Sequence, residues 1–260
     1  MKKFFLFAFA FACLTWFSCS KSDTTSGSGN ASAEFYLTDA PTTAYDAVNV
    51  DVQSVLIQSD QDTGWVALDI KAGIYNLMQL RNGVDTLLSR ATLPAGNISQ
   101  IRLVLGTNNS VVVNGQTYVL QTPSAMQSGL KFNFHQTLVA NGSYKIWIDF
   151  DANKSVVQQG NGNYLLKPTI RAYSAETNGQ IKGYVLPPLS TEAVLAINGT
   201  DTLSAVPASD GFFKFSGLAE GSYKIWFEPN IGFKDTTLTN VNVSFGQITD
   251  LGSTTLVQIP

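Results

Sequence analysis

Cysteine is nearly absent from this 260-residue chain. It occurs twice, as Cys13 and Cys19. Beyond those positions no disulfide framework and no cysteine metal site can be built, so the fold must rest on ordinary apolar cores. Histidine is scarcer still, with His135 alone. A zinc site usually takes several His or Cys ligands, and a serine or cysteine triad needs a base beside its nucleophile. No Gly-x-Ser-x-Gly turn accompanies His135, which reads as a hydrogen-bonded strand residue. Charge is sparse too: 13% of residues are Asp, Glu, Lys or Arg, and the net is −3. No Lys/Arg cluster is long enough to track a phosphate backbone, which argues against nucleic acid as a partner. No glycine-rich phosphate loop follows a strand pattern.

What is there begins with an export signal. Lys2 and Lys3 form a short positive start, and residues 4–17 are apolar except for Thr15. That run is shorter than the roughly 20 residues needed to span a bilayer, and it is followed by Ser18 and Cys19, as in a secretory signal. Ser18-Cys19 resembles the lipobox of bacterial lipoproteins, in which the cysteine thiol takes a diacylglycerol before cleavage. Trp16 stands where a Leu-like residue is usual, and Cys13 behind Ala12 is a rival site. Cys19 is preferred because residues 20–33 are polar and rich in Ser, Gly and Thr, the composition of a flexible tether. The expectation is a signal peptide at 1–18, a tether at 19–32, and attachment to the cell envelope, at the outer membrane, through an N-terminal lipid. Which face of the membrane it occupies stays open, since Ser20 to Asp23 holds one acid.

The mature chain reads as strands. Val, Thr, Tyr, Phe, Asn and Gly are prominent, a bias toward strands and tight turns. Val48, Val50 and Val52 alternate with Asn49, Asp51 and Gln53, and Ile101, Leu103 and Leu105 share one face. Tyr144, Ile146, Ile148 and Phe150 alternate with Lys145, Trp147 and Asp149. Such period-2 patterns mark half-buried antiparallel strands. Asn114-Gly115 between two apolar runs signals a hairpin. Residues 84–90 are the best helix candidate, and 165–173 read as the last strand of the first domain. Gly142-Ser143-Tyr144-Lys145-Ile146-Trp147 recurs at 221–226, with Leu138 and Leu218 ahead of the two copies. Residues 93–96 are a looser echo. Each reads as a hairpin whose second strand sends an aromatic into a core. The polar stretch 174–179 is the domain boundary. The expected fold is all-β: two tandem antiparallel β-sandwich domains of Greek-key, immunoglobulin- or prealbumin-like kind, at 33–174 and 177–260.

Two resemblances accompany this reading. Residues 33–174 resemble the domain of unknown function family 4382, on Leu37 to Pro41, Tyr45-Asp46, Val48 to Val50, Gly64-Trp65, Leu93 to Gly96, Gln100 to Leu103, Pro123-Ser124, Ser128 to Lys131 and Lys167-Pro168. That likeness implies an envelope lipoprotein and supplies no activity. Residues 177–260 resemble the carboxypeptidase-regulatory or prealbumin-like sandwich, on Ile181 to Val185, Asp210 to Phe215, Gly217-Leu218, Glu220 to Tyr223, Val241 to Val243 and Asp250 to Gly252. That likeness implies a seven-strand spacer or adhesion module without a catalytic set.

Candidate site residues are few. Cys19 is the lipidation site. Trp65, Trp147 and Trp226 lie opposite core-facing residues or in a turn, where they either meet a glycan or plug a domain interface. Asp149, Asp151 and Asn153 place oxygens at alternate positions, as a calcium loop begins. On an extended strand they would share one face, with Asp39 or Asp46 completing a looser calcium site. Lys154 and Gly160, where an EF-hand wants glycine and glutamate, exclude the EF-hand itself. The other use of these aspartates is to cap the following turn. Two carboxylates suffice for glycoside hydrolysis, so a hydrolase is the weaker alternative. The favoured functions are non-enzymatic: an envelope protein binding a glycan or an envelope protein, or a structural anchor of an envelope assembly.

Overall fold

The computed structural model describes residues 29–40, 44–123 and 128–260. The signal, Cys13, Cys19 and the tether as far as residue 28 lie outside the described residues, whereas Asn30, Ala31 and Ser32, expected in the tether, open the first strand. The first half holds β1 (Asn30–Thr38), β2 (Ala47–Ser59), β3 (Trp65–Ala67), β4 (Gly73–Asn76), β5 (Thr86–Pro94), β6 (Gly96–Leu105), β7 (Ser110–Val113), β8 (Gln116–Gln121), β9 (Leu130–Leu138) and β10 (Ser143–Phe150). A single helical turn, α1 (Ala152–Ser155), leads to β11 (Val156–Gln158), β12 (Tyr164–Leu166) and β13 (Ile170–Ser174). A four-stranded sheet in the order β13-β10-β1-β5 packs on a nine-stranded sheet in the order β11-β12-β8-β7-β2-β6-β9, with β3 and β4 also paired to β2. Phe35, Leu37, Val50, Ile101, Leu103, Ile146 and Phe150 fill one core between them.

The second half holds β14 (Gly179–Leu186), β15 (Thr191–Asn198), β16 (Asp201–Ala205), β17 (Phe212–Leu218), β18 (Gly221–Pro229), β19 (Thr236–Val243) and β20 (Ile248–Thr255). Its sheets run β17-β14-β20 and β16-β15-β18-β19. Phe213, Phe215, Ile225 and Phe227 anchor a separate core. The fold is all-β, two sandwiches in tandem. The sheets are mainly antiparallel, but β1 runs parallel to β10, β12 to β8, and β14 to β20.

The alternating patterns sit in strands as the residues require: β10 buries Tyr144, Ile146 and Ile148 and turns Lys145 outward. Asn114-Gly115 joins β7 to β8, with both residues at positive φ. Three expectations are corrected. Residues 84–90 are not helical, because β5 starts at Thr86 and supplies the antiparallel neighbour that β1 needs on that side; tertiary pairing overrides helix propensity. Residues 165–173 are not one strand. Lys167, Pro168 and Thr169 interrupt it, since Pro168 has no N–H to give a ladder, and β12 and β13 belong to different sheets.

The repeated motif is not a hairpin in either copy. β9 and β10 lie in opposite sheets, as do β17 and β18, and β5 and β6. Each copy is a crossover from one sheet to the other, pinned by its tyrosine. The Val139 N–H donates to the Tyr144 hydroxyl at 2.9 Å, and the Tyr223 hydroxyl donates to the Ala219 carbonyl at 3.0 Å. The device resembles the tyrosine corner of Greek-key sandwiches.

Candidate functional site

The two sandwiches meet where β10 and β13 of the first face β17 of the second. Trp147 and Tyr173 are register partners on β10 and β13 and stack at 5.5 Å. Tyr36 of β1 stacks on the other side of Trp147 at 5.7 Å. Gly217 sits against the ring of Tyr173 with φ +70; a Cβ there would lie 2.4 Å from the ring. Only glycine tolerates both the backbone and the contact. Arg171 crosses the junction. Its Nη1 and Nη2 donate to the carbonyls of Gly217 at 2.9 Å and Ser216 at 3.0 Å, while Nε donates to Asp149 at 2.8 Å.

Asp149 is buried, and its ion pair with Arg171 closes to 2.6 Å. Asp39, just past β1, is buried beside it and accepts from the Ala152 N–H at 2.9 Å. Burial pushes the Asp39 carboxyl up to about 9, with the charges of Asp149 and Asp151 adding to the rise against the Ala152 hydrogen bond. Asp39 is therefore a neutral acid at pH 7. Asp151 does not continue the strand. It caps α1, accepting from the Lys154 N–H at 3.0 Å and pairing with the Lys154 ammonium at 2.9 Å. Asn153 is exposed on that turn.

The common face expected for these oxygens is corrected accordingly. Asp149, Asp151 and Asn153 share no strand face, because capping ends the extended run at Phe150. Asp149 is held by a guanidinium and Asp151 by an ammonium. Among the described residues no group of three or more His, Cys, Asp or Glu side chains could hold a metal ion. Asp46 lies elsewhere, accepting from the Gly115 N–H of the β7–β8 turn at 2.8 Å.

Trp65, Trp147 and Trp226 are half-buried, and each is engaged within the chain. Trp65 carries the Arg102 guanidinium 4.1 Å above its ring and the Lys131 ammonium at 5.7 Å. Trp147 donates to Asp85 at 2.7 Å and Trp226 to Asp235 at 2.6 Å. Stacked rings such as Trp147 cover one another's faces and leave their edges outward, whereas a sugar platform needs an open face. His135 is exposed on β9.

Beside the Asp149–Arg171 pair a cleft of about 580 Å³ opens between the domains. Ile170, Leu195, Leu203 and Tyr223 supply its apolar wall; Asp149, Asp151, Lys154 and Arg171 supply charge. Strand β16, through Asp201, Thr202, Leu203 and Ser204, lines it as well. β16 is an edge strand bonded to β15 alone. Size, apolar wall and place at a domain junction are those of ligand clefts. Arg171 and β16 carried no sequence motif that singled them out. An arginine in a strand otherwise carrying Ile170, Ala172 and Tyr173 was the available signal for a paired partner.

A family model described as "Domain of unknown function (DUF4382)" matches residues 30–168. No curated protein matches the chain. Among solved structures, the Bacillus anthracis TIE protein superposes with a TM-score of 0.29 at 10% identity, over 88% of this chain and 41% of that one. GBS52, the minor pilin of Streptococcus agalactiae, gives 0.25 at 10% identity, over 88% and 97%. BcpA, the major pilin subunit of Bacillus cereus, gives 0.24 at 10% identity, over 88% and 71%. Superpositions this loose carry no argument about the present chain.

Proposed function

The chain belongs to the DUF4382 family, and from that premise we propose that it is a non-enzymatic, lipid-anchored binding protein of the cell envelope whose ligand lies in the inter-domain cleft. One observation carries the reading: both sandwiches contribute walls to a single cleft of ligand size, at a junction held by Arg171. Two of the carboxylates at its rim are occupied in ways that suit structure better than turnover. Asp149 is fixed by Arg171, Asp151 by the cap, and His135 lies on another strand. Anchoring through Cys19 and placement at the outer membrane rest on the signal and lipobox pattern in the sequence.

The edge strand favours a polypeptide ligand over a glycan. An unpaired strand edge offers backbone donors and acceptors to an extended chain, which adds as a further strand, and the faces of Trp147 are covered by Tyr36 and Tyr173. The test uses residues 29–260, from which both cores are built, immobilised against an envelope extract and a glycan array. We expect retention of a protein that is lost on Leu203→Arg, whose side chain lines the cleft and is only partly buried against the second core, with an unchanged melting curve showing that the variant folds. Retention of a glycan at undiminished strength in Leu203→Arg would place the ligand elsewhere.

A further inference from the structure

The nine-stranded sheet turns one face to its core and the other outward. Ile57, Ile101 and Leu103 lie on the core side, and strand alternation puts their chain neighbours on the outer side. Register then lines those neighbours up across β3, β2, β6 and β9. Trp65 pairs with Gln58, Gln58 with Gln100, and Gln100 with Asn133. Two positions along, Leu56 pairs with Arg102, and Arg102 with Lys131. The outer face thus carries a row of one indole and three amides beside a row with two cations. Strands stand about 4.8 Å apart and two residues advance about 6.8 Å, so the patch measures roughly 14 Å by 7 Å.

Neither row contains an acid. Among the described residues no carboxylate pairs with Arg102 or Lys131, in a chain with 19 Asp and Glu against 16 Lys and Arg. No oxygen of those residues accepts a hydrogen bond from the Arg102 guanidinium, whose Nε is shut away without a partner. The guanidinium is nevertheless fixed. It lies 4.1 Å over the Trp65 ring, with the Lys131 ammonium at 5.7 Å. Its stem runs beside Gly129, at φ +95, where a Cβ would lie 2.6 Å from Arg102 Cγ and Cδ. Glycine gives the stem its room. Two cations gathered at one ring repel each other, and an anion between them relieves that repulsion.

We propose that this face binds an acidic polysaccharide of the uronate kind, with Arg102 and Lys131 on its carboxylates and the amide row on its hydroxyls. A guanidinium meets a carboxylate in two parallel hydrogen bonds. Amides donate and accept at once, as neighbouring hydroxyls require. The Gln100 Nε2–H donates to Asn133 Oδ1 at 3.1 Å, which leaves the Gln100 oxygen and the Asn133 NH2 for a ligand. A sheet face presents side chains alone, so an extended peptide gains none of the backbone pairing that an edge offers. Two cations are too few to follow a phosphate backbone. None of these residues lines the inter-domain cleft, so the face is a second site for a second class of ligand.

The probe is tetragalacturonate, titrated into residues 29–260, with its methyl ester as the uncharged control. We expect the acid form to bind, to weaken as salt is raised, and to exceed the ester about tenfold or more. Arg102→Gln should lower the affinity about tenfold, the scale of one charge-assisted bidentate contact. Lys131→Gln should lower it about threefold, the scale of one exposed ion pair. Gln100→Ala should lower it with every charge in place. Lys131 is exposed and bonded to nothing in the fold, so its variant keeps the parent's melting curve and serves as the test even where Arg102→Gln unfolds. The proposal is overturned if tetragalacturonate does not bind at millimolar concentration, if the ester binds as well as the acid, or if Lys131→Gln binds as the parent does. Tighter binding of polyglutamate, indifferent to Gln100→Ala, would overturn it too and assign the face to an acidic protein.

Discussion

Arg171 in the last strand of the first domain donates to the Gly217 carbonyl of the second at 2.9 Å, while the same guanidinium holds the buried carboxylate of Asp149. One side chain thus neutralises a core-edge charge and fastens the two sandwiches. Arg171→Ala removes both. A buried carboxylate left without its cation costs about 3–5 kcal/mol; with the guanidinium 37% exposed, solvent screening reduces the expected loss to about 2 kcal/mol. Urea denaturation should show that loss, and small-angle scattering should show a wider spread of inter-domain geometry. Unchanged scattering together with unchanged stability would remove Arg171 from both roles.

Asp39 makes stability depend on pH. Its folded pKa, raised to about 9 by burial, lies far above the unfolded value near 3.9. Between those values the folded state keeps a proton that the unfolded state has released. The contribution is therefore complete below about pH 4 and is lost as pH rises toward about 9, at up to about 1.4 kcal/mol per pH unit. Asp39→Asn keeps an oxygen for the Ala152 N–H and cannot ionise. Its denaturation midpoint should fall less steeply than the parent's from about pH 5 to about pH 9. Parallel pH profiles for the two proteins would show that Asp39 ionises freely in the folded state.

The two tyrosine crossovers should act independently. Tyr144→Phe strands the Val139 N–H, and Tyr223→Phe strands the Ala219 carbonyl. Each should cost about 1 kcal/mol, the net worth of a neutral hydrogen bond. They belong to separate cores, so the double variant should lose the sum within roughly 0.5 kcal/mol. A coupling well beyond that, measured in a double-mutant cycle, would mean that the sandwiches unfold as one unit through these corners.

Cys19→Ala tests the anchor. In cells fed radiolabelled fatty acid, the parent should carry label and fractionate with membrane, and the variant should be unlabelled and soluble. Label persisting in the variant would move the acylation to Cys13 or away from a lipobox altogether.

The sequence by itself determined the class of fold. Residues such as Val48, Val50 and Val52, or Ile146, Ile148 and Phe150, alternate with polar ones, and a period of two admits only a strand with one face buried. Asn114-Gly115 specified its turn because few residues accept positive φ there. These are local constraints, written in neighbouring side chains. Which strand pairs with which is not local. The repeated Gly-Ser-Tyr-Lys-Ile-Trp string looked like a hairpin until the topology sent its two strands to opposite sheets, since a turn joining two strands is compatible with either arrangement. The same holds for charge. Asp149 and Asp151 are two residues apart, and spacing alone suggested a shared cation. The tertiary structure gave Asp149 to Arg171, 22 residues away, and Asp151 to the end of a helical turn. It also formed the cleft from strands of both domains. Burial and pairing depend on what the rest of the chain places beside a residue, and only the folded arrangement supplies those neighbours.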